Sequence, residues 1–211
     1  MQPDGMEFAS LLCSRLCHDL LSPIGAMNNG LELLADEQDP EMRARVIELL
    51  AESAQTSAAK LKFFRLAFGA AGGFGETVDT REARVAIEGL FGARTTVNWL
   101  VADAAMEKSA LKVLLNLAMI AGDALVRGGR LDLAAEGPEI VVRAEGPRIL
   151  LDGELRRRLE GARDAGPTTA RSAPAVLVRS LVDDAGGTLQ LSAPDDPVLV
   201  FGAQLPHAAV A

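Results

Sequence analysis

Basic residues are too few in this sequence for a protein that binds nucleic acid through its phosphates. The 211 residues include 21 Lys and Arg against 29 Asp and Glu, which gives a net charge of −8 at pH 7. Phosphate neutralisation needs clustered Lys and Arg side chains. We therefore expect no nucleic acid among the partners, whereas a local Arg cluster for an acidic protein is compatible with this composition.

Long hydrophobic runs are also absent. No apolar stretch reaches the roughly 18 residues that mark a membrane-spanning helix, and the first residues lack the pattern of an export signal. The sequence therefore predicts no membrane contact and a cytoplasmic location. Hydrophobic residues still make up 49% of the chain, which is enough to bury a core within one or two domains.

Cysteine and histidine are scarce. Cys13 and Cys17 lie four residues apart on a predicted helix, where a disulfide would have poor geometry. His18 would be a third metal ligand, but it is turned about 100° from Cys17 and no fourth ligand is near. We therefore predict no metal site, and interpret both cysteines as small packing residues in a reducing compartment. The second histidine, His207, falls in an Ala-rich tail, and we assign it no role.

A first domain over residues 1–71 is predicted to be an antiparallel helical hairpin. Asp4 and Glu7 resemble a capping box at the start of a helix that runs to about residue 35. Asp39 suits the N-cap of the second helix, and Pro40 suits its first helical position.

The apolar stripes of this hairpin are too large for a single copy to cover. In the first helix the stripe repeats at spacings of three and four residues. It consists of Phe8, Leu12, Leu16, Leu20, Ile24, Met27, Leu31 and Leu34. Two helices of about 30 residues, each about 45 Å long, cannot bury both of their stripes against each other. We therefore predict that two copies pair into a dimeric four-helix bundle.

A second domain over residues 76–211 is predicted after the glycine-rich segment 69–75, which no helix would tolerate. Helices are predicted near residues 80–91, 106–125, 152–160 and 174–185, and strands near 95–101, 130–135, 139–144, 188–192 and 198–205. Helices mixed with mainly antiparallel strands indicate a two-layer α/β sandwich, so the whole chain is of the α+β class.

His18 differs from its neighbours on the first helix because it faces away from the apolar stripe. It is two residues from the nearest members of that stripe, about 200° round the helix. We expect it to be exposed among small or polar side chains, which leaves room for a protein to dock around it. Arg15, Ser22 and Asn29 on the same face are candidate contacts for that partner, although a solvated polar face contains the same residue types.

The residue types around His18 suit nucleophilic chemistry. An unprotonated imidazole nitrogen is a competent nucleophile. Asp19 follows directly, and its carboxylate can hydrogen-bond the other ring nitrogen, fix the tautomer and stabilise the positive charge that develops on the ring. We therefore interpret His18 as the candidate nucleophile and Asp19 as the residue that orients it.

Residues 18–23, HDLLSP, resemble the phospho-acceptor box of sensor histidine kinases, in which an acidic residue follows the histidine and a proline lies five residues on. The second half is similar to the ATP-binding domain of these kinases in the order of its elements. Residues 176–182 leading to 186–188 resemble the final helix and strand of that domain. The resemblance therefore covers nearly the whole chain.

The residues with which such kinases bind ATP are missing at three matching positions. Residues 115–121 place Ile120 where the kinases have the Asn that holds magnesium, and an aliphatic side chain cannot ligate a hard cation. Residues 144–148 lack the Asp and the second Gly of the box that reads adenine. Residues 172–175 lack the glycines of the lid that approaches the phosphates. We therefore expect a degenerate domain that binds neither ATP nor another cofactor.

A phospho-acceptor hairpin followed by a degenerate ATPase-like domain resembles the ChpT-type histidine phosphotransferases of alphaproteobacteria. Residues 17–19, 62–69 and 114–118 fit that family as well. The resemblance implies a homodimer with His18 as phospho-acceptor, which relays phosphoryl groups from the receiver domain of a hybrid histidine kinase to the receiver domains of response regulators. It also implies that the partner receiver supplies the Mg²⁺. It names neither the donor kinase nor the acceptors.

Two other functions remain open from the sequence. An active or phosphatase-type histidine kinase would bind ATP. A non-catalytic dimeric scaffold would bind receiver domains, with His18 incidental to that binding.

Overall fold

Two long helices form an antiparallel hairpin at the start of the chain. Helix α1 covers Gly5–Asp36 and helix α2 covers Pro40–Ala67. In this computed structural model of the protein, the structure describes residues 4–69, 77–162 and 166–206. The glycine-rich segment predicted as a linker lies outside these residues except for Gly69, and so do the predicted domain boundaries at 71 and 76.

Both helix starts carry the caps that the sequence predicts. The Asp4 carboxylate accepts a hydrogen bond from the amide of Glu7 at 2.7 Å. The Asp39 carboxylate accepts from the amides of Glu41 and Met42 in the first turn of α2. These bonds satisfy amide groups that the start of a helix leaves unpaired, which is why short local motifs predict them well.

Helix α2 covers only part of the apolar stripe of α1. Within the stripe only Leu20 is buried, whereas Ile24 and Leu31 are 42% and 57% exposed. On α2, Ile47 is 53% exposed and Leu61 is 50% exposed. The single chain therefore leaves much of the stripe uncovered, as the sequence predicts, because one neighbouring helix contacts only one side of α1.

A five-stranded sheet dominates the second half, in the spatial order β2-β4-β5-β7-β6. The strands are β2 (Thr95–Val101), β4 (Gly129–Glu136), β5 (Glu139–Glu145), β6 (Thr188–Leu191) and β7 (Leu199–Gln204). Strands β2 and β4 are parallel, and the other neighbours are antiparallel. The prediction of a mainly antiparallel sheet with mixed helices is thus confirmed.

Four helices accompany the sheet: α3 (Thr80–Phe91), α4 (Lys108–Ala124), α5 (Gly153–Leu159) and α6 (Ala173–Asp184). Two short strands, β1 (Thr77–Asp79) and β3 (Ala105–Glu107), pair with each other and were not predicted. Three residues are too few to show an alternating pattern, and β3 runs directly into the apolar sequence of α4. The helix predicted from residue 106 therefore begins at Lys108.

Helix α4 lies at the centre of the core. Its residues 113–121 are all buried. The inward-facing side chains of β4 and β5, including Leu133 and Val142, are fully buried as well. The sheet therefore buries one face beneath a layer of helices, as expected of two layers that enclose a single core.

The end of the hairpin packs into this same core. Phe63 and Phe64 near the end of α2 are buried in the cluster that surrounds α4. The side-chain amide of Asn116 in α4 donates a hydrogen bond to the carbonyl of Ala67 at 3.1 Å. These contacts fix α2 against the second half of the chain. Among the described residues, no helix is long and apolar enough to cross a membrane.

Candidate functional site

His18 projects from α1 into solvent, with 83% of its side chain exposed. Its Nδ1 atom lies 3.0 Å from Oδ1 of Asp19. Because an ionised carboxylate only accepts hydrogen bonds, Nδ1 is the donor at this contact, and in the neutral tautomer with that proton the lone pair is on Nε2. The structure thus brings together the two residues predicted as nucleophile and orienting carboxylate, and their chemical roles stay predictions.

Arg15 connects this pair to the second half of the chain. Its Nε donates to Oδ2 of Asp19 at 2.8 Å, and its Nη2 donates to Oδ2 of Asp123 on α4, also at 2.8 Å. Only 14% of the Arg15 side chain is exposed. Burial alone would lower the pKa of Arg15, but the two carboxylates outweigh burial and raise that pKa above its ordinary value.

Arg15 is therefore largely buried instead of exposed beside His18 as expected, and its role as a contact for a partner stays a prediction. Helical periodicity places Arg15 on the same side of α1 as His18, but it carries no information about α4, which approaches that side. The guanidinium is instead held between two carboxylates. Asp123 was missed because it lies 108 positions away in the sequence, and no local pattern pairs it with Arg15.

Ser22 and Asn29 are both exposed on α1. Ser22 lies one helical turn beyond His18. Asn29 is eleven residues from His18, which corresponds to about 16 Å along a helix. Ser22 is thus next to the imidazole and Asn29 is well removed from it, and their roles as partner contacts stay predictions.

Helix α2 also reaches this site through Lys60. The ammonium Nζ of Lys60 donates to the main-chain oxygen of Asp19 at 2.7 Å. In a regular helix that oxygen accepts the amide hydrogen four residues on, but residue 23 is a proline and has none. Lys60 therefore satisfies the carbonyl that Pro23 leaves open, and it does so on the residue next to His18.

A cleft of about 570 Å³ opens beside His18, between α1 and the second half of the chain. Arg15, His18 and Asp19 of α1 line this cleft, and α4 contributes Ile120 and Asp123. Asp152 and Arg171 line it as well. Arg171 is 72% exposed and lies 3.6 Å from the Asp152 carboxylate. The cleft therefore contains an exposed cation, Arg171, as well as the imidazole.

Two of the three segments where ATP-binding residues were expected to be missing contribute to this cleft, through Ile120 and Pro174. Ile120 is only 3% exposed, with an aliphatic side chain. Ala144 is fully buried in β5. Residues 172–175 form the start of α6 and are all buried, with no glycine among them. Ile120 and Ala144 therefore offer no side-chain oxygen to a cation or to adenine, and residues 172–175 form no glycine-rich loop.

The two cysteines do not pack as predicted. Cys13 and Cys17 are both free thiols and both exposed. They lie on the part of α1 that α2 does not cover. Within residues 4–69, 77–162 and 166–206, no group of His, Cys, Asp and Glu side chains is arranged to hold a metal ion. His207 lies outside these residues.

Known proteins match this chain over almost its whole length. A family model described as the histidine phosphotransferase C-terminal domain matches residues 80–197. Protein phosphotransferase ChpT of Brucella abortus (strain 2308) is 34% identical over 204 residues, which cover 94% of this chain and 96% of that protein. A solved structure of a bacterial phosphotransferase is 32% identical, with a TM-score of 0.85, and covers 97% of this chain and 98% of its own. The last two matches include the hairpin that carries His18.

Proposed function

Because this chain belongs to the histidine phosphotransferase family and is a phosphotransferase, we propose that His18 is the residue that carries the phosphoryl group. The phosphoryl group comes from the receiver aspartate of a hybrid histidine kinase and passes to the receiver aspartates of response regulators. The observation that carries this proposal is the exposed imidazole whose Nδ1 contacts Asp19 at 3.0 Å, which leaves Nε2 as the attacking atom.

The transfer step follows from this arrangement. The Nε2 lone pair attacks the phosphorus of the aspartyl phosphate, the N–P bond forms as the P–O bond breaks, and the electron pair leaves with the receiver carboxylate. The ring becomes positively charged, and Asp19 stabilises that charge through the proton on Nδ1. The transition state is loose, so positioning and neutralisation of the phosphoryl oxygens matter most. We propose that the Mg²⁺ for that neutralisation is brought by the receiver.

The proposal includes a relay that does not use ATP. Three features of this chain support it: the aliphatic Ile120, the buried Ala144, and the tightly packed segment 172–175 that begins α6. Each stands where a kinase of this architecture needs a polar or glycine residue. Without an oxygen ligand at these positions, a nucleotide and its cation would lack their usual contacts.

The cleft beside His18 supports docking of a receiver domain between α1 and the second half. We propose that Ser22 and Asn29 contact the receiver along α1. Arg171, which also lines the cleft, presents an exposed cation, which suits the acidic pocket in which a receiver carries its aspartate. Arg15 does not take part as a free cation, because Asp19 and Asp123 hold it.

The exposed apolar side chains of the hairpin support a homodimer. Leu31, Ile47 and Leu61 are each at least half exposed in the single chain. A second hairpin that covers them would complete a four-helix bundle. We place this dimer in the cytoplasm, where hybrid kinases present their receiver domains.

A labelling experiment with two arms tests the proposal. In one arm the purified protein is incubated with radiolabelled ATP and Mg²⁺, and in the other with a receiver domain phosphorylated beforehand and freed of its kinase. We expect acid-labile label on His18 only in the second arm. Label from ATP alone would establish a histidine kinase, and binding of the receiver without label in either arm would establish a scaffold.

A further inference from the structure

We propose that Asp123 is a positioning residue of the phospho-acceptor site, although it lies on α4 in the second half of the chain. It acts through two intermediates: Asp123 holds Arg15, Arg15 holds the Asp19 carboxylate, and Asp19 holds Nδ1 of His18. The three contacts measure 2.8 Å, 2.8 Å and 3.0 Å. This inference rests on the proposed role of His18 as the phospho-acceptor.

Asp123 is needed because the pair of Arg15 and Asp19 alone would be poorly fixed. The two residues are four apart on one helix, and a single contact at Nε of Arg15 leaves the rest of the guanidinium free to turn. In this structure Nε of Arg15 is committed to Asp19 while Nη2 is committed to Asp123. A planar guanidinium that is held at two of its nitrogens cannot rotate, so the carboxylate of Asp19 is fixed as well.

Asp123 also sets how much negative charge Asp19 can offer to His18. Arg15 and Asp19 are 14% and 17% exposed, so their interaction is only weakly screened by water. If Arg15 had Asp19 as its only partner, the guanidinium would neutralise that carboxylate. Because Arg15 is shared with Asp123, Asp19 keeps more charge to accept the Nδ1 proton and to stabilise the ring when it becomes positive.

The alternative role for Asp123 is a clamp that only holds the second half against α1. The two roles predict different changes. A clamp acts on stability and on the affinity for the receiver. A positioning residue acts on the rate of phosphoryl transfer and on which ring nitrogen of His18 carries the proton, while the half-saturating concentration of receiver stays the same.

The test uses the full chain with Asp123→Asn and Asp123→Ala, and compares them with Asp123→Glu as the conservative variant. Asp183→Asn is the matched control, because it removes an ion pair of α6 that lies outside the cleft. Single-turnover transfer from a phosphorylated receiver gives the maximal rate and the half-saturating receiver concentration. ¹⁵N chemical shifts of the His18 ring give the tautomer without any phosphoryl transfer, so they are informative even if the relay itself fails.

We expect Asp123→Ala to lower the maximal rate about tenfold, which corresponds to a barrier raised by about 1.36 kcal/mol, with unchanged half-saturation. The share of His18 protonated at Nδ1 should fall in both Asp123→Asn and Asp123→Ala, and Asp123→Glu should restore rate and tautomer. Asp123→Asn keeps the size of the side chain, so it remains interpretable if Asp123→Ala does not fold. An unchanged rate and tautomer, or a weaker half-saturation alone, would overturn the inference.

Discussion

The ammonium group of Lys60 donates a hydrogen bond to the main-chain oxygen of Asp19 at 2.7 Å. In a regular helix the amide of residue 23 would donate to that oxygen, but Pro23 has no amide hydrogen. A proline inside a helix removes one main-chain hydrogen bond and leaves one carbonyl without its partner. Here the unpaired carbonyl belongs to the residue next to His18, and a side chain from the other helix of the hairpin satisfies it. The proline and the lysine are therefore two parts of one arrangement.

This relationship predicts that Lys60 and Pro23 are thermodynamically coupled. Lys60→Met removes the donor and leaves a partly buried carbonyl unpaired, which should lower the free energy of unfolding by about 1–3 kcal/mol. In a Pro23→Ala background the new amide can bond the same carbonyl, so Lys60→Met should cost about half as much or less. The wild-type protein, the two single variants and the double variant form a double-mutant cycle. Urea unfolding of all four at one fixed protein concentration measures the coupling between Lys60 and Pro23.

The exposed Lys62 of the same helix provides the control for that cycle. Lys62→Met should have the same small effect with Pro23 as with Ala at position 23. If the effects of Lys60→Met and Pro23→Ala are simply additive, Lys60 does not compensate for the proline.

Two glycines inside α1 should respond differently to alanine. A Cβ at Gly30 would lie 2.9 Å from Cδ2 of Leu50 on α2, whereas a Cβ at Gly25 would have no neighbour within 4 Å. Alanine favours a helix by about 1 kcal/mol over glycine. Gly25→Ala should therefore raise the free energy of unfolding, and Gly30→Ala should lose that gain to crowding, which typically costs about 1–3 kcal/mol.

Urea unfolding of the two variants side by side measures this difference. We expect Gly25→Ala to be more stable than Gly30→Ala by at least about 1 kcal/mol. Equal stabilities would mean that the helices of the hairpin are not in close contact at Gly30.

Asp132 on the outer face of the sheet should make stability depend on pH. Burial would raise the pKa of its carboxyl, but hydrogen bonds from Asn98 at 2.7 Å and from Arg143 at 3.0 Å outweigh burial and lower that pKa. A carboxyl whose pKa is lower in the folded than in the unfolded chain stabilises the fold at pH values above its unfolded pKa, which is about 4. That stabilisation is lost as the pH falls through the folded pKa.

Asp132→Asn should therefore lower the free energy of unfolding at pH 7, and this deficit should shrink as the pH is lowered from about 5 to about 3. Urea unfolding across that range measures the deficit. Asp184→Asn, at an exposed carboxylate of α6, is the control and should show no comparable trend. If Asp132→Asn lowers the free energy of unfolding by the same amount at every pH, the lowered pKa of Asp132 is contradicted.

The exposed apolar residues of the hairpin predict the oligomeric state. Light scattering at micromolar concentration should give twice the 22.2 kDa of one chain. Leu31→Lys or Ile47→Lys would bury a charge in the proposed bundle, and each should populate the monomer. Val85→Lys is the control, because Val85 is equally exposed, at 62%, but lies on α3 in the second half. A monomeric wild-type protein would contradict the four-helix bundle.

Local signals in the sequence predicted much of the fold. The caps at Asp4 and Asp39 and the boundaries of α3 and β2 depend on residues within a few positions of each other, and the structure agrees with all of them. The short strands β1 and β3 were missed because three residues do not establish a period. Local pattern is thus enough where a motif and its partner are neighbours in the chain.

The candidate site was predicted only in part, for the same physical reason. His18 and Asp19 are adjacent in the sequence, so their pairing was visible. Asp123 and Lys60 reach the site through tertiary packing, from positions that no motif connects to residue 18. The exposure of Arg15 was predicted wrongly because a helical period describes one helix and not what packs on it.

The most direct test of the account is a relay rebuilt from purified parts. A phosphorylated receiver of a hybrid kinase, freed of ATP and kinase, is mixed with the receiver of a response regulator, with the protein or its His18→Gln variant added. We expect label to reach the second receiver only with the wild-type protein, by way of a transient phosphohistidine. Transfer at the wild-type rate with His18→Gln would contradict the central claim that the phosphoryl group passes through His18.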